Sequence, residues 1–172
     1  MKIKDSRCLF KLGTHNRTFI SGHELDINHN GKDRKYWMVA RGEEIVKPHE
    51  KKPDAVVIVA IHQNGDEKTL VVTNEFRPAI GMNEIGFPAG LIDPDDFSKA
   101  NGDVVQAAIL AAKRELFEET GLTLLDEGIE CSPNNCYSSA GLTNESVCYV
   151  IGKAIGKLTM ENLESYEEIE TI

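Results

Sequence analysis

Three glutamates stand close together in the stretch Arg114–Leu122, which reads RELFEETGL. The stretch is typical of the last turns of a helix, because it ends in Gly121 and glycine commonly follows a helix C-terminus. On a helix, Glu115, Glu118 and Glu119 occupy positions i, i+3 and i+4, so their carboxylates project from one face. Like charges on adjacent turns repel one another. A hard divalent cation such as Mg²⁺ or Mn²⁺, which prefers oxygen ligands, would remove that repulsion.

A merely solvated acidic face is the competing interpretation, and for a bare E-x-x-E-E pattern it is the more frequent one. A second stretch, Glu84–Asp93, lies upstream and reads EIGFPAGLID. The combination of the two stretches favours metal chemistry. Together the two stretches resemble the Nudix box of the Nudix hydrolases, G-x5-E-x7-R-E-U-x-E-E-x-G-U, where U is a bulky aliphatic residue. Gly90 matches the first glycine of the box, and Arg114–Leu122 match its second half at every position.

The chain departs from the Nudix box in two ways. An insertion from about Pro94 to Val104 separates the two halves, and Gln106 stands where the box has its first glutamate. In the family that glutamate mainly supports the loop and helix, and it sometimes helps to hold metal. The departure therefore bears on the set of metal ligands more than on the reaction.

Composition excludes several classes of protein. The chain has 172 residues, of which 41% are hydrophobic, and this suits one compact domain with a small appendage. A net charge of −9 argues against a nucleic-acid backbone as the main partner. No apolar run reaches the roughly 18 residues of a membrane span, and the N-terminus lacks the apolar core of a signal peptide. The cysteines form no C-x-x-C pair, which argues against a zinc site, and reduced, mostly structural thiols fit a cytosolic chain. We therefore expect a cytoplasmic protein that binds no membrane.

Two regions with different patterns predict the organisation of the chain. Residues 1 to about 50 alternate and turn like short strands, with Asn30-Gly31 as a hairpin turn between Arg17–Ile20 and Tyr36–Arg41. The charged, proline-bearing segment 47–53 then predicts a boundary near residue 50. We therefore expect a small β element over residues 1–50 and a second domain over residues 51–172.

The second domain combines strands with one long helix. We expect the helix over Val104–Thr120 with Asp103 as its N-cap, the insertion as a loop, and strands at Ala55–Ile61, Thr69–Arg77, Asn83–Ala89 and Ser146–Ala154. Ile169–Ile172 would begin a final strand. This pattern indicates the α+β class. The resemblance to Nudix hydrolases further implies an α/β/α sandwich with a mixed sheet, preceded by the N-terminal β element.

The resemblance also implies a reaction and its metal ligands. Nudix enzymes hydrolyse a nucleoside diphosphate joined to another group, and bound metal lowers the pKa of the attacking water. Glu115, Glu118 and Glu119 would hold Mg²⁺ or Mn²⁺ together with a backbone group of Ala89. Gly90 would let the substrate phosphates approach closely. Arg114 would pair with a carboxylate of the same set and orient it.

One branch of the family fits the chain best. The stretches Phe76–Gly81 and Phe87–Asp93 resemble the ADP-ribose pyrophosphatases. In that branch a late loop supplies the general base. We favour Glu167 for this role and Glu164 as the second candidate, although an acidic surface segment without a catalytic role would account for the same residues. The resemblance assigns substrate contacts to Arg77, Arg41, Tyr36 or Trp37, and Glu84, the last of which would contact the metal or the terminal ribose. Ala140 stands where these enzymes carry a proline, so the substrate assignment is less specific than the reaction.

The resulting hypothesis is a metal-dependent hydrolase of ADP-ribose, or of a related ADP-sugar, that releases AMP and a sugar 5-phosphate. The alternatives are another nucleotide-sugar or dinucleotide pyrophosphohydrolase and a nucleotide-binding sensor that does not hydrolyse. The ADP-ribose branch is homodimeric and packs its N-terminal β element on the partner, so the resemblance implies a homodimer. A β appendage on a monomer is the other interpretation of residues 1–50. Family members often continue with another helix, so we expect that this chain ends early or has been cut short.

Overall fold

The computed structural model describes residues 2–15, 17–42, 51–132 and 135–163, and the backbone of residues 169–171. The chain divides into two compact units. Unit 1 comprises Met1–Asp54 and Cys136–Ser146, and unit 2 comprises Ala55–Asn135 and Val147–Ile172. The domain boundary predicted near residue 50 falls outside the described residues.

In chain order the elements are β1 Lys2–Thr14, β2 Arg17–His29, β3 Lys32–Arg41, β4 Ala55–Asn64, β5 Glu67–Leu70, β6 Thr73–Arg77, β7 Met82–Gly86, β8 Ala89–Leu91, α1 Pro94–Lys99, α2 Val104–Thr120, β9 Thr123–Leu124, β10 Glu130–Cys131, β11 Cys136–Tyr137, β12 Ser146–Ile155 and β13 Ile169–Thr171.

Unit 1 contains an antiparallel sheet in the order β1-β2-β3. The predicted hairpin turn is confirmed, since Asn30 and Gly31 have φ values of 51° and 80°. Two successive positive φ values give the type I′ turn whose twist matches the flanking strands. The strands on either side are longer than predicted and pair from Ile20 with Arg41 to His29 with Lys32.

Strand β1 was not predicted as one long strand. All of its 13 residues are exposed, including Ile3, Leu9, Phe10 and Leu12. It pairs with β2 along one side, and register shifts interrupt the pairing at three places. Because a long edge strand with apolar side chains presents unpaired backbone groups, it is a surface on which another strand or chain can pack.

A buried polar pair lies within the same sheet. Ser21 and His23 are 0% and 4% exposed, and their side chains lie 2.7 Å apart. The Ser21 hydroxyl donates its proton to the Gly42 carbonyl at 2.8 Å, so it accepts a hydrogen bond from Nε2–H of His23. Burial, and secondly the charge of Lys11, lower the pKa of His23 below its usual range. His23 is therefore neutral in the folded chain near pH 7.

This pair predicts a pH dependence of stability. Because the pKa of His23 is lower in the folded than in the unfolded chain, its contribution is present above about pH 6.5 and is lost as the pH falls. We expect the midpoint of thermal unfolding to fall between about pH 7.5 and 5.5, and to fall less in His23→Gln. His29→Gln, at an exposed position, is the control and should behave like the unchanged chain. Equal pH dependence in all three proteins would contradict the assignment.

Unit 2 is built on a mixed sheet around β4. Strand β12 runs parallel to β4, from Val147 beside Ala55 to Ala154 beside His62. Strands β5 and β8 pair with β4 in the antiparallel sense, and β9 and β10 pair in that sense with β12. The continuous apolar run of β4 favours a strand buried on both faces. Instead every second residue is buried and those between are partly exposed, as on a sheet with one face against the core.

Helix α2 covers the buried face of this sheet. Ala107, Ala108, Ala111 and Ala112 are 0% exposed and belong to one core with β4 and β12 residues. Alanine is small, so the helix backbone approaches the sheet closely, and this fixes the positions of the residues at its C-terminal end. The predicted bounds of the helix are confirmed. The Asp103 carboxylate accepts a hydrogen bond from the Gln106 N–H at 2.9 Å, and Gly121 ends the helix with φ of 73°.

Three predictions about the elements of unit 2 are wrong. Asn83–Ala89 is not one strand, because β7 ends at Gly86 and β8 begins at Ala89. Thr69–Arg77 forms two strands rather than one, because the chain changes sheets at the buried Val71 and β6 pairs with β7 and β13. The insertion is not only a loop, because Pro94–Lys99 is helical. Pro94 favours the first position of a helix, and Asp93 and Asp96 form a capping box there, so the short helix is stabilised locally.

The α+β class predicted from the sequence is confirmed. None of the four cysteines, all of which are described, forms a disulfide. Among the described residues, no helix combines the length and the apolar character needed to cross a membrane.

Candidate active site

The side chain of Arg114 joins three elements of unit 2. Its Nη1 donates to Oε1 of Glu115 at 2.7 Å and to Oε2 of Glu118 at 3.3 Å. Its Nη2 donates to the carbonyl oxygen of Leu91 at 3.0 Å and to Oδ2 of Asp96 at 3.2 Å. One guanidinium group therefore connects α2 to strand β8 and to helix α1.

The charges around Arg114 keep it ionised. Burial by itself lowers the pKa of Arg114, but the nearby carboxylates of Glu115 and Asp96 outweigh burial and raise the net pKa. The side chain is 32% exposed, so water only partly screens these interactions. The structure thus places Arg114 against carboxylates of the predicted ligand set.

Glu115 lies directly on the backbone of Gly90. Its side chain is buried with the residue 8% exposed, and a Cβ atom added at Gly90 would lie 1.9 Å from the carboxyl carbon of Glu115. Gly90 is held in place by pairing with Val56 of β4, and Ala89 pairs with Val57 beside it. With the Glu115 side chain in this position, only glycine at position 90 leaves room for the carboxylate.

The other two glutamates of α2 differ in their surroundings. Glu118 is half-buried, with its side chain 32% exposed, whereas Glu119 is 4% exposed. Glu115 and Glu118 converge on the same nitrogen of Arg114. Among the described residues, no group of three or more His, Cys, Asp or Glu side chains is close enough to hold a metal ion. The predicted donors are nevertheless all oxygen atoms, from carboxylates and a backbone carbonyl, and this donor chemistry suits Mg²⁺ or Mn²⁺.

Arg77 lies at the end of β6 and bridges two glutamates. Its guanidinium contacts both carboxylate oxygens of Glu75, at 2.9 Å and 2.7 Å, and its Nε lies 3.7 Å from Oε2 of Glu84. Glu75 and Glu84 are directly opposite in the β6–β7 register, so Arg77 offsets the repulsion between them. The Arg77 side chain is 45% exposed and accessible to an anion from solution.

The two aromatic candidates of β3 lie on opposite faces of the strand, because consecutive strand residues alternate. The Tyr36 hydroxyl donates to the carbonyl of Gly141 at 2.6 Å. Tyr36 also lines a cavity of about 210 Å³ in unit 1, together with Met38, Tyr137, Ala140, Leu142, Thr143 and Asn144. Trp37 is 60% exposed and donates from Nε1 to Glu24 at 3.2 Å. Of the two, Tyr36 is therefore the residue that faces a cavity.

Arg41 is held within unit 1 by a distant glutamate. Its Nε donates to Oε1 of Glu145 at 2.8 Å, and its Nη2 contacts the same oxygen. The other oxygen of Glu145 accepts a hydrogen bond from Ser138 at 3.2 Å. Glu145 was not predicted from the sequence, since the two residues are 104 positions apart and no local pattern connects them.

Asp96 is the second residue that sequence reasoning missed. Its carboxylate is 4% exposed and contacts Arg114. The run Asp93-Pro-Asp-Asp, with its N-cap and proline, was the signal that could have predicted the helix carrying it. The two candidates for the general base, Glu164 and Glu167, lie outside the described residues.

Known proteins are similar to parts or to the whole of this chain. No family model matches the chain. The chain is 35% identical over 95 residues to an ADP-sugar pyrophosphatase of Mus musculus, and the match covers 55% of this chain and 38% of that protein. The matched part thus spans well under half the length of this curated relative.

Two solved structures are also similar to this chain. A crystal structure of an ADP compounds hydrolase matches 100% of this chain and 79% of its own, with a TM-score of 0.53 at 19% identity. A NUDIX hydrolase from Nitrosomonas europaea matches 70% of this chain and 72% of its own, with a TM-score of 0.42 at 21% identity. The first of these similarities shows the fold. The resemblance drawn from Gly90 and Arg114–Leu122 is confirmed to this extent: the chain is similar in sequence to an ADP-sugar pyrophosphatase and has an α+β fold similar to that of an ADP compounds hydrolase.

Proposed function

We propose that this protein is a metal-dependent pyrophosphohydrolase that cleaves ADP-ribose, or a related ADP-sugar, to AMP and a sugar 5-phosphate. The observation that supports it best is the end of α2, where Arg114 gathers the carboxylates of Glu115 and Glu118 beside Gly90. Similarity to an ADP-sugar pyrophosphatase supports the choice of substrate class.

The glutamate cluster of α2 (Glu115, Glu118 and Glu119) would hold Mg²⁺ or Mn²⁺, with the Ala89 carbonyl as a further oxygen ligand. When bound, such an ion neutralises pyrophosphate oxygens and lowers the pKa of a coordinated water. Arg114 keeps the Glu115 carboxylate turned toward the Gly90 backbone. Gly90 leaves room for this carboxylate because it has no side chain.

A late-loop glutamate would accept the proton from the attacking water. We propose Glu167 for this role, with Glu164 as the second candidate. Strand β13 begins two residues after Glu167 in the sequence, and its first residue, Ile169, pairs with Glu75. Glu75 is the residue that holds Arg77, so β13 pairs with the strand that carries the proposed phosphate contact.

Arg77 would bind the substrate phosphates with its planar guanidinium, exchanging its bonds to Glu75 for bonds to the anion. We expect Arg77→Gln to raise the KM for ADP-ribose about 10- to 100-fold with a smaller change in kcat, since a hydrogen bond to a charged group contributes about 1.5–3 kcal/mol. Arg34→Gln, which removes an exposed arginine from β3, is the control. Steady-state kinetics with an unchanged KM in Arg77→Gln would exclude a substrate contact there.

We propose Tyr36 as the residue that stacks on the nucleobase. Tyr36 and Tyr137 line the same cavity and offer aromatic faces on which a purine stacks. Trp37 is the alternative stacking residue, on the opposite face of β3. Arg41, held by Glu145, would contact the substrate as well. Glu84 would contact the metal or the terminal ribose.

We also propose that the protein is a homodimer. The exposed apolar residues of the edge strand β1 support this, because a second copy would cover them. Light scattering of the purified chain distinguishes a dimer from a monomer directly.

Turnover on a substrate panel tests the proposed function. The panel contains ADP-ribose, ADP-glucose, GDP-mannose, NADH and diadenosine polyphosphates, each with Mg²⁺ or Mn²⁺. We expect the highest kcat/KM with ADP-ribose or another ADP-sugar. Preference for GDP-mannose, NADH or a diadenosine polyphosphate would leave the proposed class of reaction unchanged but would assign the protein to a neighbouring branch of the family. Nucleotide binding without turnover of any compound would favour a sensor.

A further inference from the structure

Asp96 is a buried carboxylate on a short helix that the insertion contributes. It is 4% exposed, while its neighbour Asp95 is exposed. Burial of a carboxylate is unfavourable unless the group is paired and hydrogen-bonded. Oδ2 of Asp96 meets this condition, because it accepts from the N–H of Asp93 at 3.0 Å and from Nη2 of Arg114 at 3.2 Å.

The contacts of Arg114 connect Asp96 to the glutamate cluster. Nη2 of Arg114 is fixed by Asp96 and by the Leu91 carbonyl, whereas Nη1 holds Glu115 and Glu118. A guanidinium group is planar and rigid, so fixing one of its nitrogens sets the direction of the other. Asp96 thereby determines where Nη1 holds the carboxylate of Glu115 against Gly90.

The remaining acidic neighbours of Arg114 do not provide the same support. Within the described part of the chain, the carboxylates in ion-pair distance of Arg114 belong to Asp93, Asp96, Glu115 and Glu118. Glu115 and Glu118 are themselves in the cluster, and Asp93 is 46% exposed at 3.4 Å. Gln106, at the start of α2, is exposed. Asp96 is therefore the buried anion that fixes Arg114 from outside the cluster.

We propose that Asp96 is a positioning residue, which acts through Arg114 on Glu115 and so sets the affinity of the glutamate cluster for a divalent cation. The inserted helix α1 then helps to position residues of the candidate active site and is not merely an addition at the surface. The effect of Asp96 on turnover rests on the proposed function, whereas its effect on cation binding does not require that any substrate be hydrolysed.

Binding of Mn²⁺ alone, followed by electron paramagnetic resonance of the free ion, tests the proposal without nucleotide. We expect Asp96→Asn to raise the Kd for Mn²⁺ about 10- to 100-fold, as is typical when a partner of a metal ligand is removed. Asp95→Asn makes the same chemical change one residue away at an exposed position and should leave the Kd unchanged. Equal Kd values for the two variants overturn the proposal, as does a chain that binds no Mn²⁺.

Kinetics separate this inference from the proposed function. On ADP-ribose with saturating substrate, Asp96→Asn should lower kcat at fixed, subsaturating Mg²⁺ and recover most of it when Mg²⁺ is raised, with little change in the KM for nucleotide. A kcat deficit that Mg²⁺ does not restore overturns the inference. If the unchanged chain hydrolyses nothing but Asp96→Asn still weakens Mn²⁺ binding, the inference stands while the proposed function fails.

A double-mutant cycle distinguishes positioning from a general loss of folding. If Asp96 acts through Arg114, the double variant Asp96→Asn, Arg114→Gln weakens Mn²⁺ binding no more than Arg114→Gln alone. Losses that add would overturn the proposal. Should Asp96→Asn unfold at the assay temperature, Asp96→Glu keeps the charge and is measured instead. The Kd of Asp96→Glu for Mn²⁺ should lie closer to the Kd of the unchanged chain than to the Kd of Arg114→Gln. A Kd equal to that of Arg114→Gln would overturn the proposal.

Discussion

Glu118→Gln is expected to lower the rate of metal-dependent hydrolysis about 1,000-fold, because loss of a charged metal ligand removes several kcal/mol of transition-state stabilisation. Glu118 is the best of the three glutamates for this test. Glu115 and Glu119 are buried, whereas the side chain of Glu118 is 32% exposed. The substitution keeps the shape of the side chain, so the melting temperature should stay within about 2 °C of the original value.

The control for this variant is Glu127→Gln, the same chemical change at an exposed residue after α2. It should retain the kcat and the Mg²⁺ dependence of the unchanged chain. Initial rates of AMP release, measured over a range of Mg²⁺ concentrations, compare the three proteins. If Glu118→Gln retained more than about a tenth of kcat, the carboxylate of Glu118 would not be a metal ligand in the reaction.

Gly90→Ala is expected to have the second large effect. The new methyl group would lie 1.9 Å from the carboxyl carbon of Glu115 and 2.2 Å and 2.3 Å from its oxygens. Glu115 is buried and held by Arg114, and Gly90 is paired with Val56, so the clash displaces the carboxylate. We expect activity to fall at least about 100-fold and the free energy of unfolding to fall by about 1–3 kcal/mol.

Gly86→Ala is the matched control, since a Cβ at Gly86 meets nothing within 4 Å. Gly86 lies on the exposed strand β7 and its φ is not in the left-handed region. Alanine is therefore compatible with its backbone, and kcat and the melting temperature should stay close to the original values. Full activity in Gly90→Ala would contradict the close contact between Gly90 and Glu115.

Local signals explain what could be predicted from the sequence. Helix α2 was predicted because Asp103 and Gly121 mark its ends and its alanines repeat on one side. The β2–β3 hairpin was predicted because Asn30-Gly31 favours one turn type. The division of Thr69–Arg77 into β5 and β6 could not be predicted, since the chain changes sheets at Val71 in response to packing and not to a turn residue.

The candidate site was predicted as a set of residue types, and its arrangement was not. The spacing of Glu115, Glu118 and Glu119 indicates a common helix face, but their different burial depends on β8 and α1. Asp96 lies 18 positions before Arg114, and Glu145 lies 104 positions after Arg41. Contacts over such separations follow from the fold and have no counterpart in local sequence patterns.

Release of AMP from ADP-ribose, with Mg²⁺ and with a chelator, tests the central claim most directly. We expect equal amounts of AMP and ribose 5-phosphate to form with Mg²⁺, formation to stop with the chelator, and the rate to fall about 1,000-fold in Glu118→Gln. Release that does not depend on Mg²⁺, or that is unchanged in Glu118→Gln, would contradict a metal-dependent reaction at the end of α2.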